Sequence, residues 1–296
     1  MDIQLYQSAV AQQFPRLDLS GFRLLGEGGV FWVFETDSGL VWRFPKQPDS
    51  AACLDLEIRL LPELADAVSL PVPRYEYVSD RAVTLRFVGY RKIEGVPLDP
   101  QRLATCRSDR PLRQLACFLT ELHRFPIEQA QAAGLRTRTL GERHDEWLNW
   151  CDQVRRHVLP LLDERQRAWA AHTLSGLLGD DTLFDYTPTL CHGDLWAEHI
   201  LFDPDGETLR GVIDFESAGI GDPASDWVAV WFDYGDDVVE RLLTYYEGPV
   251  SATLRHRMIR LAQHVPLNEI LCGVLYGDHA SWQAGWERLK DILARG

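Results

Sequence analysis

The sequence predicts an α+β chain of two lobes, a small β-rich one at the N-terminus and a larger, mainly helical one after it. Before residue 90, short runs of β-branched and aromatic residues alternate with turn residues. After Gly95, apolar residues recur at helical spacing over most of the remaining length. The chain has 296 residues, enough for two units of roughly 150, and its 46% hydrophobic and 25% charged content is that of a folded globular protein.

Strands are expected over 22–25, 30–35 and 40–44, separated by Gly26-Glu27-Gly28-Gly29 and by a hairpin turn at Asp37-Ser38-Gly39. Residues 51–67 carry apolar side chains at 54, 56, 58, 60, 61 and 64, a helical pattern. Two more strands are expected at 74–78 and 82–88. Beyond the connector Gly89–Gly95, residues 111–125 form an apolar helical stripe. Further helices are expected at 144–158, 163–178, 223–233, 236–247, 252–265 and 267–294, the last broken near Gly277. A short β-like region, 189–191, 200–202 and 209–215, interrupts them.

Several function classes are excluded at this level. With 30 basic and 44 acidic residues the net charge is −14, the wrong sign for a general nucleic-acid binder, which needs a basic face. No apolar run approaches 18 residues, and the first residues lack the charged-then-apolar pattern of a signal peptide, so a soluble, cytoplasmic protein is expected. The six cysteines show no C-x-x-C pair and are read as reduced, mostly buried and free of zinc. No long coiled-coil pattern is present, and a monomer is expected.

The densest chemical signal is CHGDLWAEHILFD (191–203), followed by GVIDFESAGIGDPASDW (211–227). Asp194 follows a flexible glycine in a loop after a β-like run. His199 comes five residues later, and Asp214 ends an apolar strand. The two runs flanking Pro204-Asp205-Gly206 should pair as a hairpin, which would bring Asp194, His199 and Asp214 to one rim. Two converging carboxylates suit a hard cation such as Mg2+, which takes one or two protein carboxylates together with phosphate oxygens and water. Asp214 is the expected principal metal ligand. Asp194 is expected to face an acceptor hydroxyl as its base or orienting group. His192 reads as a packing and hydrogen-bonding residue and Asp226 as a structural partner near a helix start.

These two segments resemble the aminoglycoside phosphotransferases, antibiotic kinases related to protein kinases, and within them the branch acting on the 2″-hydroxyl and the macrolide kinases. The resemblance covers most of the chain. It implies a protein-kinase-like fold with a nucleotide-binding lobe over 1–89, a hinge at 90–95, and a catalytic and acceptor-binding lobe over 96–296. It also implies ATP or GTP as phosphoryl donor and Mg2+ as cofactor, with Asp194 as catalytic base and Asp214 as metal ligand. His199 stands where the family often has Asn, so it either ligates the metal or orients Asp194. LVWRFPK (40–46) resembles the strand of the phosphate-binding lysine, with Arg43 at that position and Lys46 as the other candidate; Glu57 matches the acidic partner of that cation. LLGEGGVFWVF (24–34) takes the place of the phosphate loop through Gly26, Gly28 and Gly29. FVGYRKIEGVPL (87–98) resembles the hinge, placing Tyr90, Arg91 and Ile93 beside the nucleotide base.

The charge distribution bears on the acceptor. Residues 194–247 hold fourteen acidic and two basic side chains, nearly the whole net charge of the protein. A negative field around a cleft concentrates cations, so a cationic small-molecule acceptor of aminoglycoside type is expected. Asp233, Asp236, Asp237, Glu240 and Glu269 are the candidate ammonium partners. Tryptophans 227, 231, 282 and 286 could instead wall an apolar acceptor, as in a macrolide kinase. A metabolic hydroxyl or amine compound, or a nucleotide-binding module without catalysis, are the remaining alternatives.

Overall fold

A computed structural model of the protein describes residues 1–47 and 50–295. Helix α1 (Ile3–Gln13), not among the sequence expectations, is capped by the Asp2 carboxylate, which accepts from the Gln4 amide at 3.0 Å. Strands β1 (Arg23–Glu27), β2 (Phe31–Glu35) and β3 (Leu40–Pro45) are followed by α2 (Ser50–Ala67), β4 (Tyr75–Val78) and β5 (Val88–Arg91). The five strands form one antiparallel sheet in the order β1-β2-β3-β5-β4. The hairpin turn falls at Asp37-Ser38-Gly39, where Gly39 takes φ +77°. The strand expected over 82–88 begins only at Val88. The Asp80 carboxylate accepts the Ala82 amide at 3.1 Å and turns the chain there.

The C-terminal part contains β6 (Val96–Pro97), α3 (Pro100–Thr105), α4 (Arg110–His123), α5 (Ile127–Ala132), α6 (Leu140–His157) and α7 (Glu164–Gly179). Then come β7 (Thr189–Cys191), β8 (Ile200–Asp203), β9 (Thr208–Val212), β10 (Gly219–Gly221), α8 (Ala224–Tyr234), α9 (Asp236–Leu243), α10 (Leu254–Tyr276) and α11 (His279–Arg295). Helix α6 starts four residues before its expected position because Thr139 and Glu142 form a reciprocal capping box. Helix α10 runs through Pro266, where a break was expected, and stops at Gly277 in the left-handed region at φ +69°. Proline removes one helical hydrogen bond. Burial of Leu267, Ile270 and Leu271 beside it offsets that loss.

Two of the hydrophobic cores matter for the site. The larger one joins Leu60, Leu61 and Leu64 of α2 to Leu115 and Leu119 of α4, and to Phe215 and Trp227. Helix α2 is thereby seated on the helical part of the molecule although it belongs to the N-terminal sequence. A separate core joins Cys151 and Val154 of α6 to Leu267, Ile270 and Leu271 of α10 and Leu289 of α11. All six cysteines are free, as expected, but only Cys151 and Cys191 are buried and Cys117 is exposed. Among the described residues no helix is long and apolar enough to cross a membrane.

Candidate active site

Strand β7 delivers the chain into the loop His192-Gly193-Asp194. Gly193 adopts φ +80°, and a Cβ there would lie 2.4 Å from the Ser217 carbonyl oxygen, so the turn admits only glycine. Gly193→Ala is therefore expected to displace this loop and to lower the melting temperature; an unchanged melting curve would contradict the steric argument.

Asp226, in the first turn of α8, fixes the loop from below. Its carboxylate accepts the His192 amide at 2.9 Å and the Gly193 amide at 2.8 Å. It also meets His123 Nε2 at 3.1 Å, and His123 Nδ1 lies 2.6 Å from the Tyr246 hydroxyl. Burial pushes the Asp226 carboxyl up, but the His123 bond and the loop amides outweigh it and hold the group below the usual range. The His192 ring donates from Nε2 to the Ile213 carbonyl at 3.0 Å and accepts the Asp194 amide on Nδ1 at 3.2 Å, which fixes a neutral ring. Both residues have the structural roles expected for them.

Burial lowers His192 from 6.5 to about 4, and burial does the same to His264 in α10. Both stay neutral in the fold while the unfolded chain takes up protons below 6.5. Their contribution to stability is present above that pH and is lost as pH falls toward 4, by roughly 2 kcal/mol from each by pH 5. The urea midpoint should fall between pH 7 and pH 5, and His264→Phe should flatten the slope. A slope identical in that variant would remove His264 from the acid response.

The β8–β9 hairpin pairs Ile200 with Val212 and brings both ends together, as the Pro204-Asp205-Gly206 turn predicts. His199 Nδ1 lies 2.7 Å from the Asp194 carbonyl and 3.5 Å from Asp194 Oδ2; His199 Nε2 lies 3.6 Å from Asp214 Oδ2. A carbonyl oxygen only accepts, so Nδ1 carries a hydrogen and Nε2 is the ring nitrogen that faces Asp214. An imidazole nitrogen and a carboxylate oxygen facing one another could hold a divalent cation between them. Burial pushes the Asp194 carboxyl up, against the pull of His199. Asp214 sits at φ +69°, an uncommon conformation for a non-glycine residue.

Arg43 in β3 ties this rim to the sheet. Its guanidinium is buried and lies over the Phe31 ring at 4.1 Å. Nη1 donates to both Glu57 oxygens, at 3.0 and 2.9 Å, and to the Tyr75 hydroxyl at 3.1 Å. Nη2 donates to Asp214 Oδ1 at 2.6 Å and lies 3.6 Å from Glu216 Oε2. Sequence reasoning missed Glu216 and Tyr75; the one available signal was the spacing of Glu216, two residues past Asp214. Burial and then the nearby Asp214 push the Glu216 carboxyl up to about 8.

Lys46 turns away from this cluster, pairing with Glu27 at 2.9 Å and lying 4.3 Å over the Trp32 ring. Gly26, Gly28 and Gly29 all lack a positive φ, and an added Cβ at any of them would meet nothing closer than 3.7 Å. Tyr90 is buried in β5 with its ring 5.7 Å from that of Tyr75, Arg91 is exposed, and Ile93 packs over Gly211 of β9.

A cavity of about 620 Å³ opens beside Asp194, walled by α6, α8 and α10. Glu269 lines it; Asp233, Asp236, Asp237 and Glu240 are absent from its lining. Asp233 accepts the Ala197 amide at 2.8 Å, and Asp236 pairs with Arg255 at 2.8 Å. Glu240 also pairs with Arg255, and Asp237 is exposed in the first turn of α9. Much of the acidic surplus expected to attract a ligand is thus engaged within the chain.

A five-stranded sheet with α2 seated on a helical body, and a carboxylate, histidine and carboxylate gathered at one rim, define a kinase-like phosphotransferase. The chain belongs to the phosphotransferase enzyme family, whose profile matches residues 23–259. Viomycin phosphotransferase of Streptomyces vinaceus is 32% identical over 155 residues, 51% of this chain; the match spans about half, 52%, of that relative. The GDP and kanamycin complex of APH(2")-IIIa superposes with a TM-score of 0.88 at 31% identity, covering 99% of both chains. The GDP complex of a mutant aminoglycoside 2'-phosphotransferase-IIIa reaches a TM-score of 0.90 at 30% identity, covering 99% of this chain and 98% of that one. The family and the kinase-like fold read from the HGD and IDF segments are those found.

Proposed function

We propose that this protein transfers the γ-phosphoryl group of a nucleoside triphosphate to a hydroxyl of a small-molecule acceptor, an aminoglycoside-like amine first among them. The observation that carries this reading is the placement of His199 between Asp214 and Asp194, the latter of which lines the cavity. Residues 1–89 would hold the nucleotide, 90–95 its base, and 96–296 the catalytic loop and acceptor. GDP in both related complexes supports GTP as donor, with ATP as the alternative.

In this mechanism the acceptor hydroxyl donates to the Asp194 carboxylate, which takes the proton as the oxygen attacks. Burial makes that carboxylate a better proton acceptor than one in water. Asp214 Oδ2 and His199 Nε2 fit a magnesium ion, which when bound supplies positive charge to the phosphates. Arg43 commits Nη1 to Glu57 and Tyr75 and Nη2 to Asp214, so its role is to set the Asp214 carboxylate rather than to reach for phosphate. Gly26, Gly28 and Gly29 leave the β1–β2 turn open to an anion, with Lys46 held next to it by Glu27. The protein would act as a cytoplasmic monomer.

The test is incubation with GTP or ATP, Mg2+ and a panel containing kanamycin, viomycin, a macrolide and an amino alcohol, followed by mass spectrometry for a product carrying one added phosphoryl group. No phosphorylated product from any of them would sink the reading. Asp214→Asn is expected to raise the Mg2+ concentration needed for half-maximal turnover at least tenfold. An unchanged Mg2+ dependence would take Asp214 out of the metal site.

A further inference from the structure

The cavity beside Asp194 has a composition that a purely polycationic acceptor does not explain. Four carboxylates line it, and three already have an arginine partner. Glu146 faces Arg138 at 2.6 Å, Asp222 is bound by both Nε and Nη2 of Arg257 at 2.7 and 3.0 Å, and Glu269 pairs with Arg288. Only Asp194 lacks one. A cation also lines the wall: Arg143 of α6, whose guanidinium lies 4.6 Å over the Tyr186 ring and 5.9 Å from that of Phe184.

Two groups in this wall are short of partners. The Arg143 guanidinium bonds the Tyr186 side chain, but its Nε and Nη1 are buried without a hydrogen-bond partner among the described residues, and the same holds for Oε2 of Glu269. Buried polar groups are nearly always paired, and leaving a charged one unpaired is costly. The two side chains line one cavity, so a ligand that draws them toward it would complete both: an acceptor oxygen for Arg143 and a donor for Glu269. Between them, Trp147 and Trp150 stand edge to face at 5.6 Å, with the His264 ring 4.3 Å from Trp150, an aromatic wall for a flat or apolar face.

We propose that the acceptor is an aminoacylated hydroxyl compound, presenting an amide or carboxylate oxygen to Arg143, an amine to Glu269 and an apolar face to Trp147 and Trp150. This rests on the cavity being the acceptor site of the kinase proposed above. Among amine-bearing acceptors, Arg143 favours those that also offer an oxygen acceptor. The volume of about 620 Å³ lies within the range for drug-sized ligands.

The experiment is calorimetric binding, without nucleotide, of puromycin and lincomycin, which carry an amine, an amide carbonyl and hydroxyls, and of kanamycin, which has amines and hydroxyls but no carbonyl. The proteins are wild type, Arg143→Met and Arg143→Lys, each checked by thermal melting. The expected result is binding of at least one amide probe to wild type, and a fall of about tenfold or more in its affinity relative to kanamycin in Arg143→Met. Arg143→Lys, which keeps the charge and loses the planar fork, should give an intermediate ratio and carries the test if the methionine variant unfolds. A ratio unchanged by either substitution overturns the proposal, as does the absence of binding by both amide probes. The kinase reading fails separately, if these compounds bind and neither they nor kanamycin gains a phosphoryl group from GTP or ATP.

Discussion

Asp194→Asn is expected to lower kcat by about 10²–10⁴-fold. The carboxamide keeps the shape of the side chain and cannot take a proton. The backbone contacts of this residue, its amide on His192 Nδ1 at 3.2 Å and its carbonyl on His199 Nδ1 at 2.7 Å, do not involve the carboxylate. The loop should therefore stay in place, and the loss should fall on kcat with the nucleotide KM little changed. Steady-state kinetics with a saturating acceptor measures it. A variant that keeps more than a tenth of wild-type kcat would mean that the acceptor hydroxyl loses its proton elsewhere.

Asp226→Ala should produce the largest effect on stability, about 3–5 kcal/mol, a large part of the 5–15 kcal/mol of a typical native protein. The substitution strands the His192 and Gly193 amides and the His123 ring nitrogen in a fully buried place. Each orphaned buried group costs about 1–3 kcal/mol. Denaturant unfolding provides the measurement. Asp226→Asn supplies the contrast: one amide oxygen still accepts from the loop, so its loss should be clearly smaller. Equal losses in the two variants would mean that the loop amides are not what Asp226 supports.

The site was legible where sequence distance is short. His199 follows Asp194 by five residues, and the turn after β8 announces the hairpin that returns the chain to Asp214. The Arg43–Glu57 pair was legible only through resemblance, because strand and helix spacing do not say which charges meet across a sheet. The Arg43 contact with Asp214 spans 171 positions and left no local trace. The partners of the acidic run over 233–240 were hidden for a related reason. Composition counts charges without seeing partners, and Arg255, in another helix, absorbs two of them. Nothing in the local sequence marks Trp147 and Trp150, and the cavity they wall arises only from the packing of α6 against α10. The unbroken α10 had the same origin: Pro266 signals a stop locally, and burial of its neighbours overrules it.

The cavity beside Asp194 rests on both cores. Leu195, Ile220 and Val228 of its wall belong to the apolar cluster shared by α2, α4 and α8, whereas Trp150 packs on the cluster shared by α6, α10 and α11. Substitutions in the second cluster can therefore move one wall of the chamber while Asp226 and the 192–194 loop it holds keep their positions.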